Sequence, residues 1–108
     1  MQQKSLVLAR YPYTNMIDYK IRPALIVSNN AFTKKHASFL VCPITSKIHF
    51  PDYELELTSN DFSGTLNTKS FLRCDGITAL ETSLVLKEIG KVSDAFFEKV
   101  KKAVIKNF

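Results

Sequence analysis

The chain has 108 residues, enough for one domain (1–108) with a real core and too few for two. Hydrophobic residues make up 45% and charged residues 23%, which excludes a disordered chain, and no apolar run approaches the roughly 20 residues of a membrane span. Fifteen Lys and Arg against ten Asp and Glu give a net charge of +5 and a pI near 9.3, a balance that favours a polyanionic partner, most simply nucleic acid.

Taken in order, Met1-Gln2-Gln3-Lys4 runs directly into a strand-like segment and is not a secretory signal. Ser5 to Tyr11 reads as a largely buried strand, broken by Pro12 to Asn15, and Met16 to Lys20 continues as a loop. Ile21 to Ser28 is a second strand, in which Pro23 marks the first residues or an edge, because proline cannot donate to a ladder. Asn29 to His36 is polar, with room for one short helical turn, and leads to a third strand at Ser38 to Ile44. Thr45 to Pro51 is a loop carrying Lys47 and His49, and Tyr53 to Leu57 alternates strictly, giving a fourth strand with one wet face. Asn60 to Thr68 is turn-rich; Ser70 to Asp75 and Ile77 to Leu80 close the strand series.

The period then changes. Ser93 suits an N-cap and Asp94 suits the positive end of a helix dipole, and Phe96, Val100, Ala103 and Val104 recur as an amphipathic stripe. Five or six short strands followed by one terminal helix predict a mainly β fold, a small, strongly bent antiparallel sheet or barrel with the helix packed outside. Cys42 and Cys74 lack CxxC spacing and lie in apolar segments, which reads as reduced core thiols of a cytoplasmic protein.

One short stretch carries chemistry. Residues i and i+2 of a strand share a face, so Arg73 and Asp75 stand side by side while Leu72 and Cys74 turn to the core. Such a pair can hold a phosphate and move a proton, or it can be a plain ion pair on a wet sheet face; the spacing leaves both readings open. The chain has no glycine-rich phosphate loop, no clustered metal ligands and no Ser-His-Asp or Cys-His signal.

Several fragments, in order, resemble the MazF/PemK toxin family, particularly its PemK-like branch. Tyr11-Pro12-Tyr13-Thr14 is similar to the turn ending the family's first strand, and Arg22-Pro23 with the apolar run after it resembles its most recognisable motif. Pro43-Ile44-Thr45-Ser46, Arg73-Cys74-Asp75, Leu80-Glu81 and Ile89 to Ser93 resemble the later segments. The resemblance implies an SH3-like barrel, a homodimer, and a ribosome-independent, metal-independent endoribonuclease that needs no cofactor. Its substrate would be single-stranded RNA such as mRNA, and a cognate antitoxin protein would hold it inactive. Cleavage would run through attack of the 2′-hydroxyl on the adjacent phosphate, leaving a 2′,3′-cyclic phosphate and a 5′-hydroxyl.

By that resemblance Asp75 is the base, Arg73 the acid or phosphate clamp, Arg22 a second active-site arginine, and Thr45 a hydroxyl near the scissile phosphate, with Ser46 its companion. The clamp suits Arg73 better, since a guanidinium is a poor acid near neutral pH. Tyr11, Tyr13, Phe50 and Tyr53 could stack bases, with Lys20 and Lys47 near the RNA backbone and His49, in the loop after Thr45, a further substrate-binding candidate. Two departures stand out. No histidine lies between Tyr13 and Lys20, where some members use one, and Asp18 stands where glycine is common; positive charge there would fall to Arg22 or Lys20. Gly76 and Thr78 replace the glutamine and arginine often found after the aspartate, which alters base recognition. The competing readings are a non-enzymatic, gyrase-binding toxin resembling CcdB on the same barrel, and a plain SH3-like binding module.

Overall fold

In the computed structural model, which describes residues 1–12, 18–48 and 51–108, eight strands and two helices follow one another. The strands are β1 (Ser5–Pro12), β2 (Tyr19–Ile26), β3 (Ser38–Thr45), β4 (Glu54–Leu57), β5 (Phe62–Gly64), β6 (Ser70–Arg73), β7 (Thr78–Glu81) and β8 (Val85–Val92). The helices are α1 (Asn30–His36) and α2 (Asp94–Ile105). All pairings are antiparallel, and the sheet path β4-β6-β3-β2-β1-β8-β5 is barrel-like but does not close. The small bent barrel with a C-terminal helix is therefore present. No helix among the described residues is long and apolar enough to cross a membrane.

Strand β3 does the bending. Its first part pairs with β7 and β2, while Ile44 and Thr45 at its end pair with Leu72 and Phe71 of β6 in a second sheet. A strand shared by two sheets turns a corner between them. Alternation then loads both faces with apolar residues. Leu6, Leu25, Cys42, Ile44, Leu72 and Cys74 form one buried cluster, roofed by Phe96, Phe97 and Val100 of α2. Val7, Ala9, Ala24, Ile26, Val41 and Leu80 form the other. Each fully buried Leu or Phe contributes about 1.5–3 kcal/mol relative to exposure.

The expected Ser93 cap is present, and Asn29 adds a second that the sequence reading did not name. Ser93 Oγ accepts from the Phe96 amide at 3.1 Å, and Asn29 Oδ1 accepts from the Phe32 amide at 2.8 Å to start α1. Elsewhere the strands exceed the expected five or six. Tyr19 and Lys20, expected in a loop, begin β2 opposite Pro12 and Tyr11. Phe62–Gly64 forms a strand inside the turn-rich segment. Its partner β8 carries Lys87, Glu88 and Lys91 in an amphipathic pattern too interrupted to read as a strand. Gly64 and Gly90 face each other there, and a Cβ on either would lie 2.1 Å from a carbonyl oxygen, so only glycine lets β5 approach. Pro23 sits inside β2, but β2 meets β3 only from Ala24 onwards, so its missing donor falls where β2 is paired on one side.

One irregularity sets where Asp75 lies. Between the Ile44–Leu72 and Val41–Thr78 pairs, β3 advances three residues while the opposing chain advances six. Three surplus residues must therefore leave the ladder between Arg73 and Thr78, and Asp75 lies in that turn rather than in the strand as expected. Pro43, opposite the departure, has no amide to donate. Gly76 lies against its ring, where a Cβ would come within 3.2 Å of Pro43 Cγ and Cδ.

Candidate active site

Strand register brings three of the four expected catalytic residues onto one sheet face. Arg22 is two residues from Ala24, which pairs with Pro43; Thr45 is two residues on from Pro43 and pairs with Phe71; Arg73 follows two residues later. With period-two alternation, Arg22, Thr45 and Arg73 stand on the same face, across β2, β3 and β6.

Two regions of that surface differ. The first is an open cleft of about 290 Å³ where β2 and β3 splay apart, lined by Lys20, Arg22, Pro23, Thr45, Ser46 and Ser70 among others. Arg22 and Lys20 make no ion pair with any described residue, and Arg22 is half-buried. Thr45 is held locally: its hydroxyl donates to the Lys47 carbonyl and accepts from the Lys47 amide, both at 3.3 Å. Those long bonds can be exchanged for a ligand oxygen at little cost. Lys47 is exposed but does not line the cleft.

The second region is the turn after β6. Arg73 Nη2 meets Asp75 Oδ2 at 3.3 Å, with the two side chains 31% and 25% exposed. The contact is single-toothed and longer than a good charge-assisted bond of about 2.7–2.9 Å. Arg73 Nε is buried with no acceptor among the described residues. Glu54 lies directly across the ladder from Arg73, a second carboxylate that the sequence reading passed over. Behind the pair, the turn backs onto dry core. Burial pushes the Cys74 thiol up to about 11, with the Asp75 carboxylate adding to the rise. Burial likewise pushes Cys42 up to about 12, followed by Cys74 and Asp75. These are the expected inert core thiols.

Among the candidate base-stacking residues, Tyr11 packs against the Val7–Val85 core with its hydroxyl buried and without a partner among the described residues. Burial raises its ionisation well above the ordinary range, the charge of Cys42 adding to this and Arg22 opposing it. Tyr53, 43% exposed in a short 3-10 turn, is better placed, since its carbonyl accepts from the Cys74 amide at 3.0 Å. Tyr13, His49 and Phe50 lie outside the described residues. His36 is exposed at the end of α1, its ring 4.4 Å from that of Phe32. Thr68 and Ser70 were missed as cleft residues. They belong also to a neighbouring 570 Å³ cleft with Leu8, Asn67 and Lys87, so the two clefts adjoin at Pro23, Thr68 and Ser70. No local pattern distinguishes these two hydroxyls from ordinary strand-edge residues.

An open-ended barrel thus gathers two arginines and a hydroxyl on one face, and sequence comparison names its class. Residues 2–108 match the PemK-like, MazF-like toxins of type II toxin-antitoxin systems, and the chain belongs to that family. No curated protein matches the sequence. Several solved structures share the fold. MazF in a MazE–MazF crystal structure from Deinococcus radiodurans superposes with a TM-score of 0.79 at 18% identity, over 98% of this chain and 94% of that one. A mycobacterial endoribonuclease in complex with its cognate antitoxin gives 0.78 at 19%, over 98% and 92%. Mycobacterium tuberculosis toxin MazF-mt6 gives 0.74 at 20%, over 94% and 93%.

Proposed function

We propose that this toxin is a cytoplasmic, ribosome-independent and metal-independent endoribonuclease, active as a homodimer and restrained by a cognate antitoxin. Its substrate is single-stranded RNA, cut at a short sequence motif. The observation that carries the reading is the alignment of Arg22, Thr45 and Arg73 on one face, beside Asp75, in a chain of this family. A phosphodiester lying across that face meets Lys20 and Arg22, which have no ion-pair partner among the described residues, in the β2–β3 cleft, and a guanidinium–carboxylate pair at the turn.

In the proposed reaction Asp75 takes the proton of the 2′-hydroxyl, and the freed oxygen attacks the adjacent phosphorus. Negative charge then gathers on the equatorial oxygens, where Arg22 and Arg73 stabilise it and Thr45 donates a hydrogen bond. The 5′-oxygen departs with a proton, leaving a 2′,3′-cyclic phosphate. Arg73 acts first as a clamp: its contact to Asp75 uses one nitrogen, and its buried Nε, without an acceptor among the described residues, is a donor that a phosphate oxygen can satisfy. Its role as acid is confined to the strongly basic leaving alkoxide. Lys20, Lys47 and Ser46, with Tyr13 and His49, line the RNA path in this reading.

The test is a long RNA incubated with the protein in EDTA, with the new ends examined chemically. Cyclic phosphate ends that vanish in Asp75→Ala and Arg73→Ala are the expected result. Intact RNA with the folded wild-type protein would overturn it, and gyrase trapped on DNA would then favour the CcdB-like reading.

A further inference from the structure

The three surplus residues after β6 raise an accounting question, because a turn pressed against the core must pair its backbone groups. The Cys74 amide donates to the Tyr53 carbonyl at 3.0 Å, and the Gly76 amide donates to the Arg73 carbonyl at 3.3 Å. The Gly76 carbonyl accepts from Thr78 Oγ1 at 3.2 Å. The carbonyl of Cys74, the buried residue between Arg73 and Asp75, accepts from Asn107 Nδ2 at 3.1 Å, 33 residues away at the end of the chain.

Asn107 is itself well anchored. Its amide donates to the Val104 carbonyl at 3.1 Å, and the Lys106 and Phe108 amides donate to Lys102 and Ile105, so the last turn continues past α2. Further up the helix, Phe96, Phe97 and Val100 are buried in the same cluster as Cys74, with Ala103 and Val104 packed against it. The terminal helix is thus a strut, docked at one end in the core and bonded at the other to the Cys74 carbonyl, in the peptide that leads into Asp75.

We infer that Asn107 is a positioning residue: its amide fixes the Cys74–Asp75 peptide and so holds Asp75 at its working distance from Arg73 and from a 2′-hydroxyl. The inference rests on the proposed ribonuclease reading. It extends the site to a residue that touches no substrate. Small misplacement of a reacting group costs rate far more than binding, so the signature is a change in kcat.

The experiment measures kcat and KM on a single-stranded oligonucleotide, the melting temperature, and the 13C′ chemical shift of Cys74, for Asn107→Ala, Asn107→Gln and Phe108→Ala. Phe108 is 98% exposed and serves as the control with wild-type rates. Asn107→Ala should lower kcat about tenfold or more, with KM within about twofold, an unchanged fold and a displaced Cys74 carbonyl resonance. Asn107→Gln, which keeps the amide donor, should recover much of the loss. Wild-type kcat in Asn107→Ala overturns the inference, as does a loss confined to KM or one not relieved in Asn107→Gln. Asp75→Ala is run alongside: if it too cleaves normally, the ribonuclease assignment of the turn fails, whereas an inactive Asp75→Ala beside an active Asn107→Ala sinks only the role of Asn107. If Asn107→Ala does not fold, the comparison of Asn107→Gln with wild type carries the decision, and a Cys74 resonance unmoved from wild type with a tenfold loss of kcat would count against positioning.

Discussion

The β2–β3 cleft and the turn after β6 lie on one face, yet they are built in opposite ways. In the cleft, two strands part, and Lys20 and Arg22 stand without ion-pair partners among the described residues, over an opening of about 290 Å³. At the turn, a surplus of chain is folded against core; the charges pair with each other, and every neighbouring backbone group named above is bonded. Unpaired cations in a wet cleft attract and hold an anion without choosing its position to a fraction of an ångström. A pinned carboxylate over dry core is suited to moving a proton from one defined atom. In the proposed reaction holding falls to the cleft and chemistry to the turn, and that division can be broken by mutation.

The largest effect belongs to the turn. Asp75→Asn should lower the cleavage rate by about 10²–10⁴-fold, the usual contribution of a general base, and leave affinity for an uncleavable 2′-O-methyl RNA close to wild type. Single-turnover cleavage and equilibrium binding, measured on the same preparation, check this. Binding lost in proportion to rate would mean that Asp75 holds rather than reacts. Glu54→Gln is the companion variant, because Glu54 lies opposite Arg73 in register; a greater loss there than in Asp75→Asn would move the base to Glu54.

The cleft should respond the other way. Arg22→Ala is expected to fold normally, to cleave about 10–100-fold more slowly under subsaturating RNA, and to bind the 2′-O-methyl analogue more weakly. The slope of log affinity against log salt should also fall by about one, the mark of one lost phosphate contact. A salt slope equal to wild type, or full activity, would remove Arg22 from the site and merge the two regions into one.

How much of this division was legible beforehand depends on which physics each residue obeys. Leu72 turning to the core beside Arg73 follows from strand alternation, and Ser93 announces α2 by its cap, whereas Cys74 and Asp75 lie beyond the end of β6, in the turn. The grouping of Arg22 with Thr45 is a matter of register, which a single sequence does not state; a family resemblance supplied it. Strand β8 escaped because its exposed side carries charges and Gly90, so its β character comes from pairing with β1 and β5 and not from its own composition. The three-residue surplus was invisible for the same reason. It exists only as a mismatch between two ladders, and with it went the chance of seeing Asn107 near Cys74. Local chemistry is written in the chain, whereas long-range register is not.

A smaller effect tests the rim between the regions. Thr45→Val removes a hydroxyl whose two bonds to Lys47 are both 3.3 Å. Such long bonds contribute little to stability, so melting should be nearly unchanged. If the hydroxyl serves the phosphate during reaction, one net hydrogen bond of about 1 kcal/mol corresponds to roughly fivefold in rate. Loss of stability without loss of rate would reduce Thr45 to a loop cap.

The smallest effect probes the dryness behind Asp75, without which the turn would be only another wet surface. Folding raises the Cys74 and Cys42 thiols from their ordinary 9.0 to about 11 and about 12, burial being the first cause in both. The folded state therefore keeps protons that the unfolded chain gives up. The associated stability is fully present below about pH 9 and is lost as pH climbs through 11 and 12, with a limiting slope on the order of 1.4 kcal/mol per pH unit for each thiol. Urea unfolding at pH 8, 9 and 10 should show a small thiol-linked decline over the first interval and a markedly steeper one over the second, both larger than in a Cys42→Ala, Cys74→Ala double variant corrected for its cavity. At pH 8 neither thiol should react with a disulfide reagent until the protein unfolds. Asp75→Asn sharpens the comparison further, because Asp75 is the second cause of the rise at Cys74. Removing its charge should bring the Cys74 titration down while leaving the larger contribution of burial in place. A Cys74 thiol that titrates at its ordinary value in the folded wild type would mean that water reaches the back of the turn, and the contrast between a wet cleft and a dry, pinned carboxylate would not stand.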